Sequence, residues 1–191
     1  MFLANIRPGV ELRLLEERHT AAVFARMDED RDYLREWLAF VDSTVTEDDW
    51  RKFIRASLDQ FAANEGFAAG IWVADAFAGV VGTRKIDWLN GNAALGYWIG
   101  RAFQGKGIMT GACRAVLDYL FGDLFLNRVE IQCATGNAKS IGIPRRLGFT
   151  LEGTRREAEL VNGKFYDLLL FSLLRSEWKT TPRSGHHSSE F

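Results

Sequence analysis

The 191-residue sequence predicts an α/β fold with a mixed central sheet, antiparallel in its N-terminal half, a parallel pair at the centre and helices on both faces. Three observations predict this class. Three strand-like runs joined by short turns fill residues 67–99, which is typical of an antiparallel meander. A strand, a helix and a second strand follow over residues 95–134, and this order favours a right-handed parallel crossover. The last two strands flank Asn162 and Gly163, the strongest short hairpin signal.

The region before the meander is predicted to contain one strand and three helices. Residues 10–15 alternate in polarity and are interpreted as the first strand. Residues 18–30 and 33–40 are interpreted as short helices. Thr46 precedes three acidic residues and is expected to cap a longer helix, which has one apolar stripe and ends near residues 64–66.

The remaining elements complete the predicted sheet. The strands of the meander are assigned to residues 67–74, 77–86 and 93–99, and the later strands to residues 128–134, 154–161 and 164–174. Ile108 begins the helix of the crossover, where apolar residues recur at helical spacing. Asn137 opens another helix, which Gly148 is expected to close in the left-handed conformation. Pro144 removes one backbone hydrogen bond inside this helix.

Length and composition limit the classes of function. One domain over residues 1–179 is expected, followed by a disordered tail over residues 180–191, which lacks apolar periodicity. A net charge of −1 argues against broad binding to nucleic acid or to acidic membranes. With no signal pattern and no run of about 18 apolar residues, we expect a cytoplasmic protein. Cys113 and Cys133 lack metal-ligand spacing and are expected to be buried free thiols.

A Gly-rich turn separates the strand that ends at Ile99 from the helix that begins at Ile108. Backbone N–H groups of such a turn lie at the positive end of the helix dipole, so they can bind an anion, most naturally phosphate. Gly100, Gly105 and Lys106 have the spacing of a nucleotide-binding phosphate loop, but the next residue is Gly where a Mg²⁺-binding hydroxyl is required. A nucleoside triphosphatase is therefore a weak alternative, and an ordinary Gly-rich turn is another.

The same turn resembles the pyrophosphate-binding motif of the GCN5-related N-acetyltransferases, Gln/Arg-x-x-Gly-x-Gly/Ala. Gln104 begins the motif, and Met109 replaces its final small residue. Residues 12–178 are similar to the branch of that superfamily that acetylates the N-terminal amines of ribosomal proteins. The matching pieces are Gly96-Tyr97-Trp98-Ile99, Gln104-Gly105-Lys106-Gly107, Asn137-x-x-Ser140, Leu147-Gly148-Phe149, Glu152-Gly153 and Glu177-Trp178. Each piece alone is weak, so the resemblance depends on their order and spacing together.

The resemblance implies acetyl-CoA as the cosubstrate, bound without a metal in a gap between the two central parallel strands. Main-chain groups of Trp98, Ile99 and Gly100 would hold the pantetheine arm. The N–H groups that would hold the pyrophosphate belong to Gln104, Gly105, Lys106, Gly107, Ile108, Met109 and Thr110. Asn137 would contact the cofactor, although an ordinary helix N-cap is the alternative role for this residue. A solvated loop lysine is an equally good interpretation of Lys106.

Two residues are candidates for proton transfer. The resemblance implies that Ser140 protonates the leaving CoA thiolate and that a glutamate near residue 159 is the general base. Counting back from the hairpin turn pairs Glu159 with Tyr166 and places Glu159 on one strand face with Glu157. Glu159 is therefore the candidate base. Glu157 and Glu152 stay alternatives, and an exposed carboxylate without a catalytic role is another interpretation.

The predicted reaction is direct attack of a neutral amine on the thioester in a ternary complex. A protein N-terminal α-amine suits a single carboxylate base, because its pKa of about 7.7–8.0 leaves it partly neutral, whereas a lysine at about 10.4 is almost fully charged. A small-molecule amine or antibiotic as acceptor, and a non-catalytic acyl-CoA sensor, stay alternatives. The acid-rich residues 28–32 and 42–49 are expected to attract a cationic acceptor, or else to be ordinary solvated helix ends. The resemblance also implies a homodimer.

Overall fold

The structure of the protein, a computed structural model, describes residues 3–179. The tail over residues 180–191, for which disorder is expected, lies outside the described residues. The strands are β1 (Leu3–Arg7), β2 (Val10–Leu14), β3 (Ala68–Val73), β4 (Ala76–Thr83), β5 (Asn92–Ile99), β6 (Arg128–Ala134), β7 (Thr150–Val161) and β8 (Lys164–Leu174). The helices are α1 (Thr20–Glu29), α2 (Arg31–Leu34), α3 (Glu47–Ala62), α4 (Ile108–Asp118) and α5 (Ala138–Arg146).

One eight-stranded sheet has the spatial order β1-β2-β3-β4-β5-β6-β8-β7. Every neighbouring pair is antiparallel except β5 and β6, which are parallel. Helix α4 connects these two strands, so the crossover predicted from the strand–helix–strand order is confirmed. The mixed sheet with an antiparallel N-terminal half and a central parallel pair is confirmed with it.

Helices cover both faces of the sheet, as predicted. On one face α4 buries an apolar stripe that includes Val116. On the other face α1 and α3 bury Val23 and Trp50. The adjacent β4 residues Val80 and Val81 belong to these two different cores, because successive side chains of a strand point to opposite faces.

The parallel pairing of β5 with β6 is short. It comprises three residue pairs and ends at Ala94 and Glu130. Beyond this point β5 stays paired with β4 as far as Ile99, and β6 stays paired with β8 as far as Ala134. The two central strands therefore diverge, and the sheet opens between their carboxyl ends.

The N-terminal edge of the sheet contains a strand that was not expected. The first strand is predicted at residues 10–15, whereas β1 precedes it and pairs with β2 across the Pro8-Gly9 turn. Residues 3–7 contain too few apolar side chains in alternation for a clear period-2 signal. Pairing with β2 supplies the order that the local sequence does not predict.

The helix predicted over residues 33–40 is wrong. Helix α2 ends at Leu34, and irregular chain leads to a 3₁₀ turn at Ala39–Asp42. The Arg31 guanidinium donates to the carbonyl oxygens of Val41 and Thr44, at 2.6 and 3.0 Å. These charge-assisted bonds hold the chain in its non-helical path, a long-range effect that hydrophobic periodicity does not report.

The long strand β7 is irregular next to the candidate bases. Near the hairpin turn it pairs with β8 as predicted, with Glu159 opposite Tyr166. The register then shifts, and Glu157 has a left-handed φ of 48°. The Asp167 carboxylate accepts the Glu157 N–H at 2.8 Å and so stabilises this β-bulge. The predicted regular alternation through Glu157 is therefore wrong, and Glu157 is exposed whereas Glu159 is half-buried.

Several local predictions are confirmed. The Thr46 hydroxyl accepts the Asp49 N–H at 3.2 Å at the start of α3, and the Asp49 carboxylate accepts the Thr46 N–H in return. Gly148 follows α5 with a φ of 84°, as a left-handed cap requires. Cys113 and Cys133 are both buried and free.

Acidification is expected to weaken the fold through His19. Burial lowers the pKa of His19, and its Nδ1 accepts the Glu16 N–H at 3.1 Å. Neutral His19 therefore contributes stability above its unfolded-state pKa of about 6.5, and this contribution is lost as the pH falls through the lower native pKa. Urea titrations between about pH 7 and pH 5 should show a smaller loss of unfolding free energy in His19→Asn than in the wild type. Equal pH dependence in both proteins would contradict this role.

Candidate functional site

A cleft of about 920 Å³ opens where β5 and β6 diverge. The Gly-rich turn, the first turns of α4 and α5, the chain around α2 and the β7–β8 hairpin complete its walls. The candidate residues that line it are Trp98, Ile99, Gln104, Gly105, Gly107, Ile108, Met109, Thr110, Asn137, Ser140 and Glu159. Gly100 and Lys106 do not line it. The fold thus brings most of the candidates, which are spread over residues 98–159, into one cavity.

Strand β5 directs unpaired main-chain groups into the cleft. The Gly100 N–H donates to the Ala78 carbonyl at 2.8 Å. Every second residue of β5 counted back from Gly100 therefore directs its main-chain N–H and C=O groups towards β4. Tyr97 and Ile99 therefore direct theirs towards the opening. Gly100 is already occupied, since its carbonyl accepts the Phe103 N–H at 3.0 Å. The same alternation directs the main-chain groups of Trp98 towards β4. Of the three residues expected to hold the pantetheine arm, only Ile99 therefore has main-chain groups open to the cleft, and Tyr97 joins it.

Strand β6 contributes main-chain groups from the opposite wall. The Thr135 N–H donates to the Asp167 carbonyl in β8 at 2.9 Å, so every second residue of β6 counted back from Thr135 bonds to β8. The main-chain groups of Gln132 therefore face the gap. Main-chain donors and acceptors at this depth require partners. A ligand arm that contains amide groups, such as pantetheine, fits between the two walls.

The turn before α4 has the geometry of an anion cradle. Gly105 and Gly107 both have a φ of 71°, and a Cβ added to either would meet no heavy atom within 4 Å. The N–H groups of Gln104 and Gly111 are bonded to the Arg101 and Gly107 carbonyls, at 3.2 and 3.0 Å. Within the described residues, the N–H groups between these two have no main-chain partner, as expected at a helix start. The cradle therefore fits a pyrophosphate.

The two polar side chains of this turn, those of Gln104 and Lys106, differ in their hydrogen bonding. Gln104 presents a buried Nε2 that has no hydrogen-bond partner in residues 3–179, while its Oε1 accepts the Lys139 ammonium at 2.9 Å. A ligand oxygen would satisfy the unpaired amide donor. Lys106 donates to the Ala102 carbonyl at 2.8 Å and so directs its charge away from the cleft.

Three cationic residues that the sequence analysis missed surround the cradle. Arg146 donates to the Thr110 hydroxyl in the first turn of α4, at 3.3 Å. The Arg101 guanidinium and the Lys139 ammonium lie 5.2 and 5.6 Å from the centre of the Tyr33 ring. Lys139 and Arg146 are seven residues apart on α5, a spacing that places them on one helix face and could have revealed them. Their charge would complement phosphate groups bound in the cradle.

Ser140 lies in a cluster of protonated groups at the base of the cleft. Asn137 caps α5 by accepting the Ser140 N–H at 3.0 Å. The Tyr97 hydroxyl donates to the Ser140 carbonyl at 3.1 Å, and the Ser140 Oγ lies 3.4 Å from that hydroxyl and 3.3 Å from the Cys133 sulfur. Burial raises the pKa of both Tyr97 and Cys133. These neighbours are therefore neutral near pH 7, and Ser140 has a fixed position beside them.

Of the carboxylates on the described residues, only that of Glu159 lines the cleft. Glu157 lies exposed in the bulge. Glu152 accepts two hydrogen bonds from the Arg128 guanidinium, at 2.7 and 2.5 Å, and one from Ser172 at 2.7 Å. The Arg128 bonds hold the pKa of Glu152 at about 2, so its carboxylate is already engaged in an ion pair. Glu159 is the candidate base that the geometry favours.

The acid-rich segments expected to attract a cationic acceptor do not line the cleft. Five of their carboxylates form ion pairs: Asp28 with Arg31, Glu29 and Asp30 with Arg26, Asp42 with Arg35, and Asp48 with Arg51 and Lys52. Neighbouring cations thus neutralise these carboxylates, which agrees with the alternative interpretation as ordinary helix ends.

The chain after α2 and the β7–β8 hairpin meet above the cleft. The Asn162 amide donates to the Arg35 carbonyl at 2.6 Å, and the Trp37 and Tyr166 rings lie 6.0 Å apart. Trp37 and Glu159 both line the cavity, and Glu159 is paired in the hairpin with Tyr166, the ring that Trp37 contacts. This roof encloses the side of the cleft on which the candidate base lies.

A sequence model of the acetyltransferase (GNAT) domain matches residues 10–150. The chain belongs to the GNAT acetyltransferase family. It is 36% identical over 180 residues to YdaF of Bacillus subtilis (strain 168), provisionally named a ribosomal N-acetyltransferase, with 94% of this chain and 98% of YdaF covered. It is 26% identical over 168 residues to the ribosomal-protein-serine acetyltransferase of Escherichia coli (strain K12), covering 88% and 94% of the two chains.

Solved structures agree with this assignment. RimL, a ribosomal L7/L12 α-N-protein acetyltransferase bound to coenzyme A through a cysteine disulfide, superposes with a TM-score of 0.88 at 25% identity, covering 91% of this chain and 98% of RimL. The microcin C7 self-immunity acetyltransferase MccE, with acetyl-CoA and AMP, gives 0.84 at 29% identity, covering 88% and 94%. The protein is thus an acetyltransferase that uses acetyl-CoA, which excludes the nucleoside triphosphatase alternative. Among the described residues, no helix is long and apolar enough to cross a membrane.

Substitution of Gly105 by Ala is expected to weaken acetyl-CoA binding, because the new Cβ enters the cradle. Gly9→Ala is a matched control, since Gly9 has a φ of 74°, similar open space and a position in the β1–β2 turn. Both variants should lose about 1 kcal/mol of unfolding free energy from left-handed strain. Only Gly105→Ala should raise the acetyl-CoA Kd in calorimetric titrations, by about tenfold or more. Equal affinities in the two variants would argue against the cradle.

Proposed function

We propose that this acetyltransferase transfers the acetyl group to a protein N-terminal α-amine, as a ribosomal-protein-type enzyme. The observation that carries the proposal is the position of Glu159 and Ser140, which line one cleft together with the phosphate cradle. The full-length similarity to a ribosomal-protein-serine acetyltransferase supports the choice of acceptor. The catalytic domain is residues 1–179. The homodimer implied by the resemblance and the cytoplasmic location expected from the sequence stay predictions.

Each wall of the cleft has its own role in this proposal. Acetyl-CoA, when bound, supplies the acetyl thioester. Glu159 takes a proton from the acceptor amine, and Ser140 gives a proton to the CoA sulfur as it leaves. The Ile99 N–H, directed into the gap by strand alternation, stabilises the negative charge that develops on the acetyl oxygen. The Gln104–Thr110 turn, Arg101, Lys139 and Arg146 hold the phosphates.

The position of the CoA sulfur near Ser140 has separate support. The RimL structure contains a disulfide between coenzyme A and a cysteine, so in that protein a cysteine lies at the thiol. Cys133 lines the cleft of this chain, and its sulfur is 3.3 Å from the Ser140 Oγ. A CoA sulfur close to Cys133 would therefore also be close to the proposed proton donor.

An α-amine acceptor suits this single base. With a pKa of about 7.7–8.0, an α-amine is partly neutral near pH 7 and needs little help from the enzyme. A lysine amine, with a pKa of about 10.4, is neutral to only about one part in a thousand, a cost of roughly 4 kcal/mol. Glu159 is the one carboxylate on the described walls of the cleft, so no second acid is available there to assist.

Thiol release from acetyl-CoA tests the acceptor and both residues. A peptide with a free N-terminal Ser or Ala should stimulate release, whereas its N-acetylated copy and a copy with only a lysine amine should not. Glu159→Gln should lower kcat by about 10²-fold through loss of the base, and Ser140→Ala by about tenfold or more. Glu157→Gln, two residues away in the exposed bulge, is the control and should keep wild-type kcat.

Three outcomes would contradict the proposal. Release that depends on the lysine amine would overturn the choice of acceptor. Release only with a small-molecule amine would replace the acceptor class, and binding of acetyl-CoA without any release would favour a sensor. Wild-type kcat in both Glu159→Gln and Ser140→Ala would overturn the catalytic assignments.

Tyr97 is expected to be a positioning residue for Ser140. Its hydroxyl donates to the Ser140 carbonyl and so fixes the first turn of α5. Tyr97→Phe should lower kcat by about three- to tenfold with the KM for acetyl-CoA nearly unchanged. In the Ser140→Ala background the same change should have little effect, because the residue it positions is gone. Additive losses in the double variant would indicate an independent role for Tyr97.

A further inference from the structure

The charges on the walls of the cleft are unequal. The cationic side chains among the described lining residues are Arg84, Arg101, Lys139 and Arg146, against the single carboxylate of Glu159. An acceptor that has one amine, with neutral or acidic groups beside it, is compatible with these cationic walls.

Three of the four cations have a place in the proposed acetyl-CoA site. Arg146 contacts Thr110 in the first turn of α4, and Lys139 contacts Gln104. Arg101 belongs to the same turn of chain. These three residues therefore lie where the phosphates of the cosubstrate are expected. Arg84, the fourth cation, has no role in that site.

Arg84 differs from them in position. It directly follows β4, and its N–H donates at 2.9 Å to the carbonyl of Ala94, the last β5 residue paired with β6. A strand rises about 3.3 Å per residue, so Arg84 is about 16 Å along the strand from Ile99 and about 10 Å from Tyr97. It thus lies at the end of the cleft away from the phosphate cradle.

The Arg84 side chain is also free. It is exposed, and its guanidinium makes no ion pair and no hydrogen bond with any residue between 3 and 179. The neighbouring Lys85, in contrast, pairs with Glu65 at 3.1 Å. A guanidinium on a cleft wall with all of its donors unused is suited to a carboxylate.

Gly96 leaves open space on the cleft wall between Tyr97 and the end of β5 beside Arg84. Gly96 lies between them on β5 and lines the cleft, and a Cβ built there would meet no heavy atom within 4 Å. An extended peptide spans about 10 Å in three residues. An acceptor whose amine lies beside Tyr97 and Glu159 would therefore bring its second or third residue to Arg84.

We propose that Arg84 binds an acidic side chain at the second or third position of the acceptor, so that the preferred substrates are N-termini with Asp or Glu close to the free α-amine. This inference rests on the proposed function, because it takes a protein N-terminus as the acceptor. It names the substrate class more closely.

Competing acceptor peptides test the proposal. Three peptides that differ only at positions two and three, Ser-Glu-Glu, Ser-Ala-Ala and Ser-Lys-Lys followed by a common neutral tail, are compared by kcat/KM in thiol release. The wild type should prefer the Glu peptide over the Lys peptide by about five- to tenfold, and less at high salt. Arg84→Glu should reverse the order. Lys85→Glu, the adjacent charge reversal, should keep the wild-type order.

The outcomes separate the two proposals. One outcome is that all three peptides are acetylated and that the ratio of kcat/KM for the Glu peptide to kcat/KM for the Lys peptide is the same in the wild type and in Arg84→Glu. This outcome would overturn the role of Arg84 and leave the proposed function intact. No acetylation of any free α-amine by the wild type would overturn the proposed function, and this inference with it. An unchanged acetyl-CoA Kd in Arg84→Glu confirms that the variant is folded. Arg84→Gln repeats the test with a smaller change and should abolish the preference for the Glu peptide without reversing it.

Discussion

The divergence of β5 from β6 is the constraint on which the rest of the molecule depends. Pairing with β4 along one strand and with β8 along the other holds the two apart after Ala94 and Glu130. The gap cannot close without breaking one of those ladders, so main-chain donors and acceptors stay open to a ligand. The Gly-rich turn, the first turn of α5 and Glu159 all lie around this one opening. A break in hydrogen bonding, which most sheets avoid, is here the origin of the proposed acetyl-CoA site.

Features with strong local signals could be predicted from the sequence. The Asn162-Gly163 turn gave the correct pairing of Glu159 with Tyr166, because a two-residue hairpin loop determines the register beside it. Thr46 and Asn137 gave correct helix starts, since capping involves residues only three positions apart. The cradle followed from glycines whose left-handed conformation few other residues adopt.

The remaining features depend on contacts between distant parts of the chain. Strand β1 exists because β2 pairs with it, and the chain after α2 is irregular because Arg31 reaches the carbonyls of Val41 and Thr44. The bulge around Glu157 depends on Asp167, ten residues away. Arg84 was overlooked for the same reason: nothing in its sequence neighbourhood shows that β4 ends beside the opening. Hydrophobic periodicity reports burial, and it does not report where charged side chains of different strands meet.

The bond between Asn162 and Arg35 joins residues 127 positions apart in the chain. A contact of such long sequence separation closes a large loop, and the entropy lost in closing that loop opposes it. Both residues are exposed, so breaking the bond uncovers little apolar surface. The roof of the acceptor side can therefore open locally, at the cost of this bond and of the contact between the Trp37 and Tyr166 rings. An acceptor could be admitted by this local opening while the two hydrophobic cores on either side of the sheet stay intact.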